Sequence, residues 1–150
     1  MHACVAAGAG FLLSVLWFDL MFDVQVRNHP GNSLPAEVLA SISGYYRRVT
    51  IEAWPMNRLI AVVMLLTVLT IIAEIIHNVD HWWVVWISLI AATSAIGLAR
   101  MRTIPNAARL GRGTRSLEEQ TTLARSVYSD HIYCFSAIAV LLVLQLGAAL

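Results

Sequence analysis

Two long apolar runs dominate the middle of the chain. They cover residues 59–77 and 82–101, and a short polar segment, 78–81, separates them. Each run is long enough to cross the hydrocarbon of a bilayer as a helix, and Glu74 is the one charge in the interior of either run. Helix is favoured over strand because a backbone inside lipid must satisfy its own hydrogen bonds. The pattern therefore predicts a transmembrane helical hairpin.

Two further apolar runs lie near the ends of the chain. The run at 3–22 lacks a basic leader and continues into Trp17, Phe18 and Asp19 rather than into a small-residue cleavage site, so we expect a mature helix. The run at 128–147 follows Ser116 and Glu119, whose capping-box spacing predicts a helix start that continues into the span. The fold class is predicted to be all-α: one integral membrane domain, 1–150, built as a four-helix bundle with spans at about 3–22, 59–77, 82–101 and 128–147.

The segment between the first two spans has a helical rather than a membrane-spanning pattern. From about residue 35 to 53, apolar side chains recur at three- and four-residue steps. The set is Val38, Leu39, Ile42, Tyr45, Tyr46 and Val49. Polar residues occupy the other faces, which predicts an amphipathic helix lying at the membrane interface.

Small residues mark two surfaces for close helix packing. Glycines and alanines at 6–10 allow the first span to approach a neighbour closely. A second stripe follows the third span and consists of Ser88, Ala91, Ala92, Ala95 and Ala99. Thr67, Thr70, Glu74 and His77 form a polar stripe on one face of the second span, against which the small-residue stripe could pack.

The composition is that of a membrane protein and argues against nucleic acid as a partner. Of the 150 residues, 59% are hydrophobic and 13% charged, which is too apolar for a soluble domain of this size. The net charge is +1 and lysine is absent, so there is no basic surface of the kind that binds nucleic acid. Expected partners are the bilayer itself and a second copy or a larger membrane complex.

The ten arginines predict the orientation. All lie in the two long connections: Arg27, Arg47, Arg48 and Arg58 in one, and Arg100, Arg102, Arg109, Arg112, Arg115 and Arg125 in the other. Four spans place both connections on the same side, and the positive-inside rule makes that side cytoplasmic, with both termini outside. The basic connections are expected to contact anionic lipid headgroups. A bacterial inner membrane is the expected location.

Asp19 and Asp23 are the first candidates for function. They are like charges one helical turn apart at the end of the first span, where the helix dipole disfavours anions. Asp23 is expected in the interface, and Asp19 one turn deeper. Two interpretations remain open: ion pairs with nearby arginines that tie the long connection to the bundle, or binding of a proton or ligand.

A second group of candidates lies on the same side at the start of the fourth span. Asp130, His131 and Cys134, together with Asp19, could form a carboxylate, imidazole and thiol site for a transition metal or polar ligand. The alternative is that Asp130 is simply an acid favoured in the first turns of a helix.

Glu74 and the residues after it make a third group at the opposite end. Glu74 and His77 share a helix face, and Asp80 and His81 follow in the turn, so a metal site is conceivable there. His77 and Asp80 also have structural reasons for their positions, at a helix end and a helix start. Glu74 is harder to explain structurally because it lies inside the apolar run.

Three functional hypotheses follow. The first is a protein that binds or conducts a small polar solute, ion or proton through intramembrane acids, with Asp19 and Glu74 near the two ends. The second is a membrane enzyme acting on a lipid-soluble substrate, with its site at the cytoplasmic ends of spans one and four. The third is an accessory subunit of a larger complex. No phosphate-binding loop, nucleophile elbow or dithiol motif favours another chemistry, and the cofactor is left open.

Overall fold

The computed structural model describes residues 1–77, 82–113 and 116–149, and this part of the chain is helical without strands. Six α-helices follow one another in these ranges: α1 His2–Asp23, α2 Ala36–Arg47, α3 Trp54–Ile76, α4 Trp82–Leu98, α5 Ile104–Arg112 and α6 Leu117–Ala149. A 3₁₀ turn, Val24–Asn28, extends α1, and two π-helical turns, Arg48–Glu52 and Ala99–Thr103, follow α2 and α4. The all-α prediction is confirmed.

The four long helices form a closed ring. α6 packs along α1 and α4, and α3 completes the ring by packing against the same two helices. Their inward side chains form an apolar core that includes Val5, Ala9, Leu12, Ile71, Ala92, Ile138 and Leu141. All four are long and apolar enough to cross a membrane, and large apolar side chains such as Leu65, Ile90 and Val143 face outward. The chain is therefore a helical bundle of the kind that membrane proteins form.

A second layer covers one end of the ring. α2, α5 and the first turns of α6 pack around their own core, whose buried residues include Leu34, Leu39, Ile42, Tyr46, Leu110 and Val127. The 33 residues of α6 make it about 50 Å long, against about 30 Å of hydrocarbon, so α6 is long enough to serve both layers. We call this covered end the arginine end, and the end with His2 and Ala149 the amino-terminal end.

The predicted amphipathic helix is present, and its apolar face is covered by protein. Leu39, Ile42 and Tyr46 of α2 are almost completely buried between α5 and α6. The backbone of Gly111 in α5 lies so close to α2 that a Cβ there would be 2.8 Å from the Arg47 nitrogen. Glycine at this position therefore lets the two short helices touch.

The connection after the third span differs from the sequence-based expectation. The sequence predicts a polar connection, 100–126, with breaks at Pro105, Gly111 and Gly113. The helix instead continues through a π turn into α5, and of these three residues only Gly113, which has φ 64°, ends it. The wide turn Ala99–Thr103 ends just before Pro105, whose missing N–H would interrupt an ordinary α-helical ladder. The predicted start of α6 is confirmed, since Ser116 Oγ accepts a hydrogen bond from the Glu119 N–H.

The two small-residue surfaces pack as predicted, although their neighbours are now specified. Gly8 of α1 faces Thr67 of α3 so closely that a Cβ would collide with the threonine hydroxyl. Ser88, Ala91, Ala92 and Ala95 are buried. Their helix, α4, contacts α6 as well as α3, so the stripe serves two neighbours rather than the polar face of the second span alone.

Candidate functional site

The last turns of α1 place two carboxylates on one face beneath α2. Asp23 is completely buried, whereas 15% of the Asp19 side chain is exposed. Asp19 lies one turn further into α1 than Asp23, but Asp23 is the more buried of the two, which the sequence pattern does not predict. The reason is the second layer: α2 and the arginine end of α6 cover the terminal turn of α1, which the apolar pattern of α1 alone does not reveal.

Asp23 forms the centre of the site with His131 of α6. Its Oδ2 lies 2.6 Å from His131 Nδ1, and its Oδ1 accepts a hydrogen bond of 2.7 Å from the Tyr46 hydroxyl. With a carboxylate oxygen this close, we assign the proton to Nδ1, which then donates to Asp23. The tyrosine hydroxyl also lies 3.3 Å from Nδ1. Three helices, α1, α2 and α6, therefore meet in one buried hydrogen-bonded group.

Asp19 lies on the other side of the same imidazole. Its Oδ1 accepts a 2.7 Å hydrogen bond from the Tyr45 hydroxyl, and its Oδ2 lies 3.8 Å from His131 Nε2. That separation is within ion-pair range but too long for a hydrogen bond. Tyr45 is positioned by stacking on Phe22, with ring centroids 4.1 Å apart. We call Asp19, Asp23, Tyr45, Tyr46 and His131 the aspartate cluster.

The two tyrosines act as permanent donors. Burial, and then the neighbouring Asp23 carboxylate, raise the pKa of Tyr46 far above its ordinary value. Burial and the Asp19 carboxylate raise the pKa of Tyr45 in the same way. Both hydroxyls therefore stay protonated over the physiological range. Tyrosine hydroxyls bind Asp19 and Asp23, where the sequence favours ion pairs with arginine. The long connection is also held by Arg125, which donates to the carbonyls of His29 and Gly31.

The charges of the aspartate cluster do not balance on their own. Two carboxylates share one imidazole, which can supply at most one positive charge. A buried unpaired charge is costly, and two carboxylates that share one site favour holding a proton between them. The cluster is neutral when the imidazole carries a proton on both nitrogens and one of the two carboxylates is protonated as well.

Of the proposed grouping of Asp19, Asp130, His131 and Cys134, the structure brings Asp19 and His131 together, whereas Asp130 and Cys134 have other partners. Asp130 is buried and faces away to Arg102, which binds it through Nε at 2.9 Å and through Nη2, and Thr103 Oγ1 donates to it at 3.2 Å. The Cys134 thiol donates to the Ala95 carbonyl at 3.5 Å. Adjacent positions on α6 point in directions about 100° apart, and the two side chains have different hydrogen-bond partners: Arg102 and Thr103 for Asp130, Asp23 for His131. Asp23, rather than Asp130, is the partner of the imidazole.

A shallow groove between α4 and α6 lies beside the Arg102 pair. Its volume is about 390 Å³. It is lined by Ser94, Leu98, Arg102, Ser129, Asp130 and Tyr133. The groove therefore reaches the ion pair of Asp130 rather than the imidazole of His131.

Glu74 belongs to a second buried group at the amino-terminal end. Its side chain is fully buried beside His2 of α1, Ser88 of α4 and Gln145 of α6. His77, at the end of α3, is exposed. Asp80 and His81, the other two members of the predicted metal group, lie outside the described residues. We call His2, Glu74, Ser88 and Gln145 the Glu74 cluster.

Neither cluster has the arrangement of a metal centre. Within 1–77, 82–113 and 116–149, no three side chains of histidine, cysteine, aspartate or glutamate are placed to hold a metal ion together. The imidazole of His131 is bonded to an aspartate, and Cys134 to a carbonyl. The chemistry available to the aspartate cluster is that of proton donors and acceptors.

An apolar layer separates the two clusters. His131 and Gln145 lie on the same helix, about 21 Å apart at about 1.5 Å per residue. Cys134, Ile138 and Leu141 face the core between them and are buried. The bundle therefore has a polar site near each end and a closed apolar centre.

Several residues of these clusters were not predicted from the sequence. Tyr45 and Tyr46 were assigned only to an apolar face, and their hydroxyl groups were given no role. Gln145 was overlooked, although a glutamine inside the apolar run of α6 is a signal that could have identified it. Comparison of the chain with protein-family models, curated proteins and solved structures finds no match.

Proposed function

We propose that this membrane protein takes up and releases protons inside its helical bundle, at the aspartate cluster. In this proposal, proton exchange accompanies the movement of a proton, an ion or a small polar solute across the membrane. The observation that carries it is the sharing of one buried imidazole by two carboxylates, 2.6 Å and 3.8 Å from its two nitrogens.

A route for the proton through the cluster is supported by the difference in exposure between the two carboxylates. Asp19 retains some exposure, so it can exchange protons with water, whereas Asp23 is sealed. His131 lies between them and presents a different nitrogen to each. Imidazole can take a proton on one nitrogen and release one from the other, so His131 is suited to pass protons between Asp19 and Asp23.

The closed apolar centre implies that transfer across the membrane requires a rearrangement. In the described conformation, side chains such as Ile138 and Leu141 fill the space between the clusters. A buried cluster costs more free energy when it carries a net charge than when it is neutral. Gain or loss of a proton would therefore favour one of two packings of the helices over the other. Protonation would thereby be linked to opening. The arginine end is cytoplasmic in this proposal.

Proton flux into vesicles tests the function. The purified protein would be reconstituted into liposomes that contain a pH-sensitive dye, and a potassium diffusion potential would be applied with valinomycin. We expect wild-type flux above that of empty vesicles, and loss of this flux in Asp23→Asn and His131→Gln. Glu37→Gln, which removes an exposed carboxylate of α2, is the matched control and should keep wild-type flux.

Two outcomes would contradict the proposal. If wild-type vesicles acidify no faster than empty ones under any imposed gradient, transmembrane proton movement is wrong. If Asp23→Asn and His131→Gln conduct like the control variant, the flux does not pass through the aspartate cluster. Each preparation is checked for a single folded species by size-exclusion chromatography before reconstitution.

A further inference from the structure

We propose that Glu74 and His2 form a second proton-binding site that exchanges with solvent at the amino-terminal end of the bundle. The inference goes beyond the proposed function, because it concerns another cluster and follows from that cluster's own geometry. It gives the bundle one titratable centre near each end.

The site is assembled from all four long helices. Gln145 of α6 lies in the middle: its Nε2 donates to Ser88 Oγ at 3.0 Å and to Glu74 Oε2 at 3.4 Å. Its Oε1 lies 2.7 Å from His2 Nδ1 and accepts from it. These contacts fix the orientation of the amide and, in the described conformation, direct the Nδ1 proton of His2 to Gln145.

One carboxylate oxygen of Glu74 is left without a donor. Glu74 Oε1 lies 3.2 Å from His2 Nδ1, but among the described residues it is a buried side-chain oxygen that takes part in no hydrogen bond. An ionised carboxylate with an unsatisfied oxygen is costly at a position with no exposure. A proton on Oε1 removes that charge, and the resulting hydroxyl can donate to His2 Nδ1, 3.2 Å away, once that nitrogen has given up its own proton.

His2 connects this oxygen to solvent. Its side chain is 15% exposed while that of Glu74 is not exposed at all. The imidazole can accept a proton from water on Nε2 and turn its Nδ1 proton from Gln145 Oε1, 2.7 Å away, to Glu74 Oε1, 3.2 Å away. The hydrogen bond to Gln145 breaks, the O–H bond on Glu74 forms, and a neutral imidazole protonated on Nε2 remains. Release runs in reverse: Glu74 Oε1 returns its proton to Nδ1, and Nε2 gives its proton to water.

The donor set favours a proton over a metal cation. The amide N–H of Gln145 points at Glu74, and the imidazole lies against the free oxygen. A sodium ion would need several oxygen lone pairs directed at one point, whereas two of the groups around this carboxylate are N–H donors. We therefore expect that sodium does not compete with the proton for Glu74, and the experiment includes sodium to test this.

Infrared spectroscopy of the reconstituted protein tests the proposal. We expect a carbonyl stretch of a protonated carboxylic acid at neutral pH that is lost on alkaline titration of the wild type. Glu74→Gln should remove this component, and the variant should fold because glutamine resembles the neutral acid. An Asp19→Asn, Asp23→Asn double variant should retain it, so failure of this proposal is distinguished from failure of the aspartate cluster.

Exchange and competition complete the test. Transfer to D₂O shifts the band of an exchangeable carboxylic acid, and His2→Gln should slow that shift while the band itself remains. Replacing a large organic cation by sodium should leave the band unchanged. The proposal is overturned if Glu74→Gln leaves the spectrum unchanged, if His2→Gln exchanges at the wild-type rate, or if sodium abolishes the band.

Discussion

Replacement of Tyr46 by phenylalanine isolates one hydrogen bond of the aspartate cluster. The ring stays, so the packing of this 2% exposed side chain is preserved, and only the hydroxyl that donates to Asp23 Oδ1 at 2.7 Å is removed. Hydrogen bonds to charged groups contribute about 1.5–3 kcal/mol. We expect Tyr46→Phe to lower the free energy of unfolding by about that amount.

Tyr45→Phe is the matched control. It removes a hydroxyl at the same distance, 2.7 Å, from the other aspartate. Asp19 is partly exposed and water can replace the lost donor, so the expected loss is only about 0.5–1.5 kcal/mol. Both variants would be unfolded reversibly in mixed detergent micelles, with helical circular dichroism as the signal.

A double-mutant cycle with Asp23→Asn decides whether the effect comes from the cluster. If the hydroxyl acts through Asp23, Tyr46→Phe should be less destabilising in the Asp23→Asn background, with a coupling of about 1 kcal/mol. Additive effects of Tyr46→Phe and Asp23→Asn would refute the reasoning. So would an equal or larger loss in Tyr45→Phe.

The remaining predictions concern packing, pH and the ion pair. Gly111→Ala brings a Cβ within 2.8 Å of the Arg47 backbone nitrogen and should destabilise the folded protein by about 1–3 kcal/mol. Gly10 has open space around it, so Gly10→Ala should be nearly neutral, and thermal unfolding of both variants tests this difference. Because the pKa of both α2 tyrosines is raised in the folded protein, their contribution to stability is complete below about pH 10 and is lost as the pH rises further. The unfolding midpoint should therefore fall in alkaline buffer, and it should fall less in the phenylalanine variants. Arg102→Gln leaves Asp130 buried without its cation and should lower the melting temperature, and adding Asp130→Asn should restore part of the loss.

The spans could be predicted because their signal is local. An apolar run of sufficient length has few alternatives to a membrane helix. The start of α6 is indicated by the capping-box spacing of Ser116 and Glu119, which are three residues apart. The extension of α4 into α5 could not be predicted in the same way. Pro105 and Gly111 resemble breaks, and their compatibility with helix depends on a π turn and on contact with α2.

The site could be predicted only in part because its contacts are distant in sequence. Asp19 and His131 stand out as ionisable residues at the ends of apolar runs. The bond between Asp23 and His131 joins positions 108 residues apart, and it depends on how the second layer covers α1. His131 binds Asp23 rather than Asp130 because Asp130 is bound by Arg102. The position of Arg102 relative to α6 cannot be deduced from the sequence.

The protonation state of the aspartate cluster is the central claim, and infrared titration measures it directly. The comparison is made in a Glu74→Gln background, so that the remaining buried acid signal comes from the arginine end. We predict a carboxylic acid band at neutral pH that disappears when Asp19 and Asp23 are both replaced by asparagine. A spectrum without such a band, or one that the double substitution leaves unchanged, would show that the two carboxylates hold no proton and would contradict the account.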